Sequence, residues 1–282
     1  MPTFGSLRLE YTKHLETISA NTGYRLHEVW PAFLRLSSCC IVGPDMQRAV
    51  TLDAMERGMR GWSRIASLPD REAEFEAERQ RWDAESMTLF SHAMAQMMIE
   101  AGEHTYRDVL GPVHQEWLGK KGQQWGGEFH TPYEISRLMA FGLCGDATIF
   151  DKPEPVTIQE PACGSGQLVL ALVEWMHERG LNSTRIRLEA WDVSAAAVDM
   201  ALINLTLHGV PARVIRGNTL SLEVWNTYYT PFYPLAHGAP DATESTPAPP
   251  QPEPRPVVNL RASQQLEQLL RAQESIFSLE TE

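Results

Sequence analysis

The feature that most constrains this chain begins at Val156. An apolar stretch, Val156 to Gln159, runs into the acid Glu160, passes a tight turn holding Gly164-Ser165-Gly166 and opens into an apolar helical stretch, Gln167 to Glu178. The pattern then repeats. Arg185 to Trp191 is strand-like, Ala195 to Leu207 helical, and Ala212 to Arg216 strand-like again. Strands alternating with helices at this spacing predict a doubly wound parallel α/β sheet, because a parallel neighbour is reached only through a long crossover, usually a helix.

The turn has a chemical meaning of its own. Glycine at 164 and 166 permits positive φ and close approach of a ligand to the backbone. The helix that follows presents free amides at its amino end. Ligands of open α/β sheets lie at the carboxyl ends of the strands, where this turn sits. A lone Gly-x-Gly also fits a purely structural turn, so the second acid matters. Asp192 closes the next strand 26 residues beyond Gly166, a place from which a carboxylate accepts hydrogen bonds from ribose hydroxyls. The alternative role for Asp192 is to cap the helix that starts nearby.

Around this segment the chain divides by character. Residues 1–120 read as helical. In the run from Asp70 to Met98, Phe75, Trp82, Leu89, Phe90 and Met94 recur near helical spacing, and few breakers intervene. Its charged first half predicts a solvated face, and Met94, Met97 and Met98 predict core filling. A Gly-rich stretch, Lys120 to Pro132, separates this region from the α/β segment, placed at 121–235, and Glu134 to Phe141 is expected to be helical. Residues 236–260 include the Pro-rich run from Pro240 to Pro256, expected to be a linker. Residues 261–282 are expected to form a helix with an apolar stripe of Leu266, Leu269, Leu270, Ile276 and Phe277. Such a stripe needs a surface to cover it, on this chain or on a protein partner.

Four cysteines, two of them adjacent at 39 and 40, show neither a pairing pattern nor metal-ligand spacing. Reduced thiols in a cytoplasm fit them better than a disulfide framework or a zinc site. No apolar run reaches the roughly 18 residues of a membrane span.

Four segments in order carry a resemblance to a known family. Glu160-Pro161-Ala162-Cys163-Gly164-Ser165-Gly166 resembles the Asp-Pro-Ala-Cys-Gly-Ser-Gly signature of the N6-adenine DNA methyltransferases, type I modification subunits in particular. Gly127-Glu128-Phe129-His130-Thr131-Pro132 is similar to the segment that precedes that signature. Asp192 to Gly209, with Asn204-Leu205 and Leu207-His208-Gly209, resembles the family's second strand and helix. Gly217-Asn218-Thr219-Leu220 is similar to its Gly-Asp-Thr-Leu segment. The match covers Trp125 to Leu220, about a third of the chain.

The resemblance implies a Rossmann-like S-adenosylmethionine-dependent methyltransferase domain, truncated relative to the family, behind a helical region. It implies S-adenosylmethionine as cofactor, with no metal, and a part in DNA methylation and restriction-modification. Carried over by position, Thr131 and Pro132 would flank the methionine moiety. Glu160, with Pro161, Ala162 and the turn from Gly164 to Gly166, would hold its amino-acid end. Asp192 would take the ribose and Asn218 the adenine. Glu160 and Asn218 both stand where the family usually has Asp. Glutamate keeps the charge, whereas asparagine keeps only an acceptor oxygen.

Cys163 belongs to the family's own signature and is expected to pack in the turn rather than act as a nucleophile. The family's (Asp/Asn)-Pro-Pro-(Tyr/Phe) segment, whose aromatic residue stacks on a flipped base, has no counterpart here. The only Pro-Pro is Pro249-Pro250, and it follows Ala248. The nearest imitation is Asn226-Thr227-Tyr228-Tyr229, which makes Asn226 and Tyr229 the weak catalytic candidates. An aromatic packing segment leading to Pro231 is the preferred reading of it. A net charge of -12 opposes DNA binding over the whole surface, since phosphate contacts supply most of such affinity. DNA would then be met through a local basic face or a partner subunit. Two functions remain open: a DNA adenine methyltransferase completed by a partner, or an inactive, methyltransferase-derived binding or regulatory subunit.

Overall fold

The computed structural model describes residues 9–58, 71–117, 131–145, 147–152 and 154–237. The segment Gly127 to His130, most of the Pro-rich stretch and the expected C-terminal helix lie outside them. Four strands form one sheet in the order β1 (Val156–Glu160), β2 (Ile186–Asp192), β3 (Ala212–Asn218) and β4 (Glu223–Tyr229). The first three are parallel, with Glu160 level with Ala190, and Asp192 level with Arg216. β4 returns antiparallel along β3, pairing Arg213 with Tyr229 and Asn218 with Glu223 across a bulge after Arg216.

The helices precede and separate these strands. They are α1 (Tyr11–Thr22), α2 (Leu26–Ile41), α3 (Pro44–Glu56), α4 (Glu72–Arg79), α5 (Ala84–Glu103), α6 (Tyr133–Cys144), α7 (Gln167–His177), α8 (Ala195–Leu207) and the short α9 (Tyr233–His237). Residues 111–117 add about two further helical turns. α7 and α8 are the two crossovers. They carry an apolar load suited to burial on both sides: Leu170, Ala171, Ala201, Leu202, Ile203 and Leu205 are all fully buried.

On one face of the sheet Ile186, Leu188, Ala190, Ala212 and Val214 are fully buried and belong to the main core. On the other face Thr157, Gln159 and Arg187 are exposed, whereas Trp191 and Ile215 are buried and Tyr229 packs with Val50 and Tyr233. Strands laid down successively in one direction, each crossover keeping the same hand, place the two crossover helices on one side.

The run expected as one helix from Asp70 to Met98 is two helices. Residues 80–83 leave the helix, and the Asp83 side chain accepts from the Ser86 amide (2.7 Å) to cap α5. No Gly or Pro marks the break, only a capping aspartate. The charged half is solvated at Glu72, Glu76, Arg79 and Arg81, as expected, but not at Arg71 and Glu74. Glu74 is half-buried and pairs with Arg35 and Arg71, and both arginines reach Asp199 of α8. Met97 is fully buried, with Met94 and Met98 packed against the core.

The described residues before 118 do not pack apart from the α/β segment. One hydrophobic cluster runs from Tyr11, Leu15, Trp30 and Phe33 through Met97 and Leu110 to Leu170, Leu205 and Val214. α2 lies against α8, and α6 against α7. Among the described residues no helix is long and apolar enough to cross a membrane.

Candidate functional site

Three loops meet at the carboxyl edge of the parallel strands, and each follows a polar residue expected to bind. Glu160 ends β1, Asp192 ends β2 and Asn218 ends β3. The first loop is drawn to its neighbour by backbone bonds. The Cys163 amide donates to the Trp191 carbonyl (2.8 Å), and the Gly166 amide closes the turn onto the Cys163 carbonyl (2.8 Å). Gly164 and Gly166 have φ of 53° and 86°, the left-handed region that glycine enters without cost. A side chain at 164 would meet nothing within 4 Å, so the turn faces open space there.

Asp192 ties the first two loops together. One carboxylate oxygen accepts from the Gly164 amide (2.9 Å), the other from the Ser194 amide (2.8 Å). Ser194, not Asp192, caps α8, through a longer bond from the Ala197 amide (3.4 Å). Each oxygen of an ionised carboxylate has further acceptor capacity, so neither bond excludes a ligand hydroxyl. The third loop turns on Asn218, whose side-chain oxygen accepts from the amides of Leu220 (3.0 Å) and Ser221 (3.3 Å). Thr219 then donates to the Pro161 carbonyl (2.6 Å), joining this loop to the first.

Two acids at one edge create a demand for positive charge. Burial pushes the Glu160 carboxyl above its ordinary range; the Ala162 amide offsets part of this and the charge of Asp192 adds to it. A bound cation would relieve that cost. Beside the acids stand two apolar side chains that the sequence reading did not single out. Val193 is exposed and Leu220 is 98% exposed.

Cys163 is buried, and burial followed by the charges of Asp192 and Glu160 raises its thiol well above the usual value. It stays a protonated packing group.

Thr131 and Pro132 precede the helix that runs alongside α7, with the Tyr133 hydroxyl donating to Glu174 and Arg137 pairing one turn further on with Glu178. They stand exposed at the amino end of α6, which packs on α7 through the small buried residues Ser136, Ala140 and Cys144. Glu174 lies seven residues along α7 from Gln167, about 10 Å of helix rise away from the turn.

Asn226 is level with Asp192 two strands away, through Arg216, whereas Tyr229 is further from the edge. Both lie within strand β4, where the sequence predicted no strand. Asn226 is exposed opposite Arg216. Tyr229 pairs with Arg213, five residues back from Asn218 along β3, or about 16 Å at the rise of a strand. It is buried beside Tyr233 and Val50, an aromatic packing role.

Comparison with known proteins matches residues 105–232 to the family N-6 DNA Methylase. The type I restriction enzyme MjaIX methylase subunit of Methanocaldococcus jannaschii is 28% identical over 111 residues, 38% of this chain and 18% of that protein. The type I restriction enzyme MpnII methylase subunit of Mycoplasma pneumoniae is 25% identical over 139 residues, 47% of this chain and 24% of that protein. The chain thus spans about a fifth of the length of these curated relatives. A solved Listeria monocytogenes structure, described as a class I S-adenosylmethionine-dependent methyltransferase, aligns at 15% identity and TM-score 0.40, over 75% of this chain and 54% of that one. The stretch matched to the N-6 DNA methylase family contains all three strand-end residues and the glycine turn.

Proposed function

We propose that this chain binds S-adenosylmethionine at the carboxyl edge of β1 to β3 and takes part in methylation of adenine N6 in DNA, with the acceptor side of the site completed by a partner subunit. The observation that carries this reading is the joining of three loops through Asp192 and Thr219, which gathers Glu160, the glycine turn, Asp192 and Asn218 at one edge. In the bound state Glu160 accepts from the cofactor's ammonium, and the turn gives close backbone approach. Asp192 accepts from the ribose, and the Asn218 carboxamide faces the adenine between Val193 and Leu220. The cofactor supplies an electrophilic methyl group on a sulfonium. The sequence has no (Asp/Asn)-Pro-Pro-(Tyr/Phe) segment to hold a flipped adenine, and the acceptor side is assigned to a partner. The net charge of -12 supports the same division, because the phosphate contacts must come mainly from elsewhere.

The test is transfer of a tritiated methyl group to mixed-sequence DNA by the chain alone and by the chain with proteins co-purified from its source. Incorporation that requires the co-purified protein, and that is lost in Asp192→Ala, is the expected result. Incorporation by the chain alone would refute the need for a partner. Cofactor binding with no incorporation under either condition would favour the inactive binding subunit.

A further inference from the structure

The glycine turn is also gripped from behind, by a residue that lies far from it in sequence. Asp108 follows α5 and is 2% exposed. One of its carboxylate oxygens accepts from the amides of Leu110 (2.9 Å) and Gly111 (2.8 Å), capping the helical residues 111–117. That oxygen also accepts from the Asn204 carboxamide of α8 (2.9 Å), and the other accepts from the Ser165 hydroxyl. Asn204 in turn donates to the Ser165 carbonyl (2.8 Å). Ser165, the residue between the two positive-φ glycines, is therefore held by both its side chain and its backbone.

A helix cap uses one oxygen and local amides. Here the second oxygen goes to the turn, and the first also takes a donor 96 positions along the chain. All three side chains are buried, where charge-assisted hydrogen bonds are strong and hold one geometry. We infer that Asp108 is a positioning residue for the cofactor site: through Ser165 and Asn204 it sets the direction of the turn that receives the amino-acid end of the methyl donor. This rests on the cofactor reading above and adds a residue to it from the helical part of the chain. It also gives the N-terminal helices a part in binding, since Asp108 belongs to their core.

The test uses the full-length chain and two probes. S-adenosylmethionine has the amino-acid end that meets the turn, whereas adenosine lacks it. Ser165→Ala removes the link to Asp108 and keeps the cap, and Asp108→Asn keeps the shape and removes the charge. Both variants are expected to bind S-adenosylmethionine at least 10-fold more weakly and adenosine within twofold of the unaltered chain. Amide hydrogen exchange is expected to quicken at residues 163–167 and stay unchanged in α1 and α2. Equal weakening for both probes, or unchanged S-adenosylmethionine affinity in folded Ser165→Ala, would overturn the assignment. Should Asp108→Asn fail to fold, Ser165→Ala decides alone. Binding of neither probe by the unaltered chain would overturn the underlying cofactor reading, and this inference with it.

Discussion

Replacing Asp199 by alanine should cost this protein about 3–5 kcal/mol, the loss expected when one member of a buried ion pair is removed. Its carboxylate is 3% exposed. It accepts from Arg71 (2.8 Å), from the Ser38 hydroxyl (2.7 Å) and from Arg35 (2.9 Å). Arg71 is itself 2% exposed, with its guanidinium 4.3 Å from the centre of the Tyr228 ring. Without Asp199 that buried cation keeps Glu74 but loses its other carboxylate. Against a total stability of about 5–15 kcal/mol the loss is large. For a unit of this size it lowers the melting temperature by roughly 6–20 °C, at 2–4 °C per kcal/mol. Urea unfolding followed by far-UV dichroism and by tryptophan fluorescence measures it, and both probes should move together. Arg71→Leu in the Asp199→Ala background should recover part of the loss, because the stranded charge is gone. A loss below about 1 kcal/mol would refute the reasoning. So would a transition that splits, with the sheet melting as before, since Asp199 is the tie between α2, α4 and the α/β core.

Further expectations follow from the site. Glu160 carries a raised pKa, so its charged, cation-binding form is lost as pH falls through a window above the ordinary carboxylate range. S-adenosylmethionine affinity should therefore fall on mild acidification, and Glu160→Gln should bind weakly with a flatter pH profile; an unchanged profile would remove Glu160 from the site. Gly166→Ala puts a side chain at φ 86° with ordinary contact to Leu205 at 3.7 Å. The cost is then backbone strain of about 1–2 kcal/mol, read by urea unfolding, and a cost near zero would mean the turn relaxes. Asn226→Ala, at an exposed mid-strand position, should change stability by less than about 0.5 kcal/mol and cofactor affinity by less than twofold. A tenfold loss of methyl transfer would restore Asn226 as a site residue.

The elements legible in the sequence were those whose cause is local. β1, β2, β3, α7 and α8 begin and end within about two residues of the positions read from apolar runs, acids and glycines, because the hydrophobic pattern switches period at each boundary. β4 was missed because it is an edge strand with little burial. Glu223, Trp225 and Asn226 are exposed, so no alternation marks it. It is reached through Leu222 at positive φ (57°), a turn position that no glycine announces. That the two crossovers share one side of the sheet has no local signal, because winding depends on strand order, which composition does not encode. The charged run from Arg71 to Glu78 was taken for a solvated face since the partner that buries its first turn, Asp199, lies 128 residues away from Arg71. Asp108 had no local signal for the same reason. Glu160, Gly164, Gly166, Asp192 and Asn218 are singled out by resemblance and by position at strand ends and the turn, and the fold brings them to one edge. Thr131 and Pro132 rest on resemblance alone.

The central claim is that the edge built by Glu160, the glycine turn, Asp192 and Asn218 holds a methyl donor. Isothermal titration calorimetry of the full-length chain with S-adenosylmethionine tests it most directly. The account predicts one site per chain, displaced by S-adenosylhomocysteine and weakened at least 10-fold by Asp192→Ala. Protein shown to be folded that gives no binding isotherm, or that binds equally well after Asp192→Ala, would contradict it.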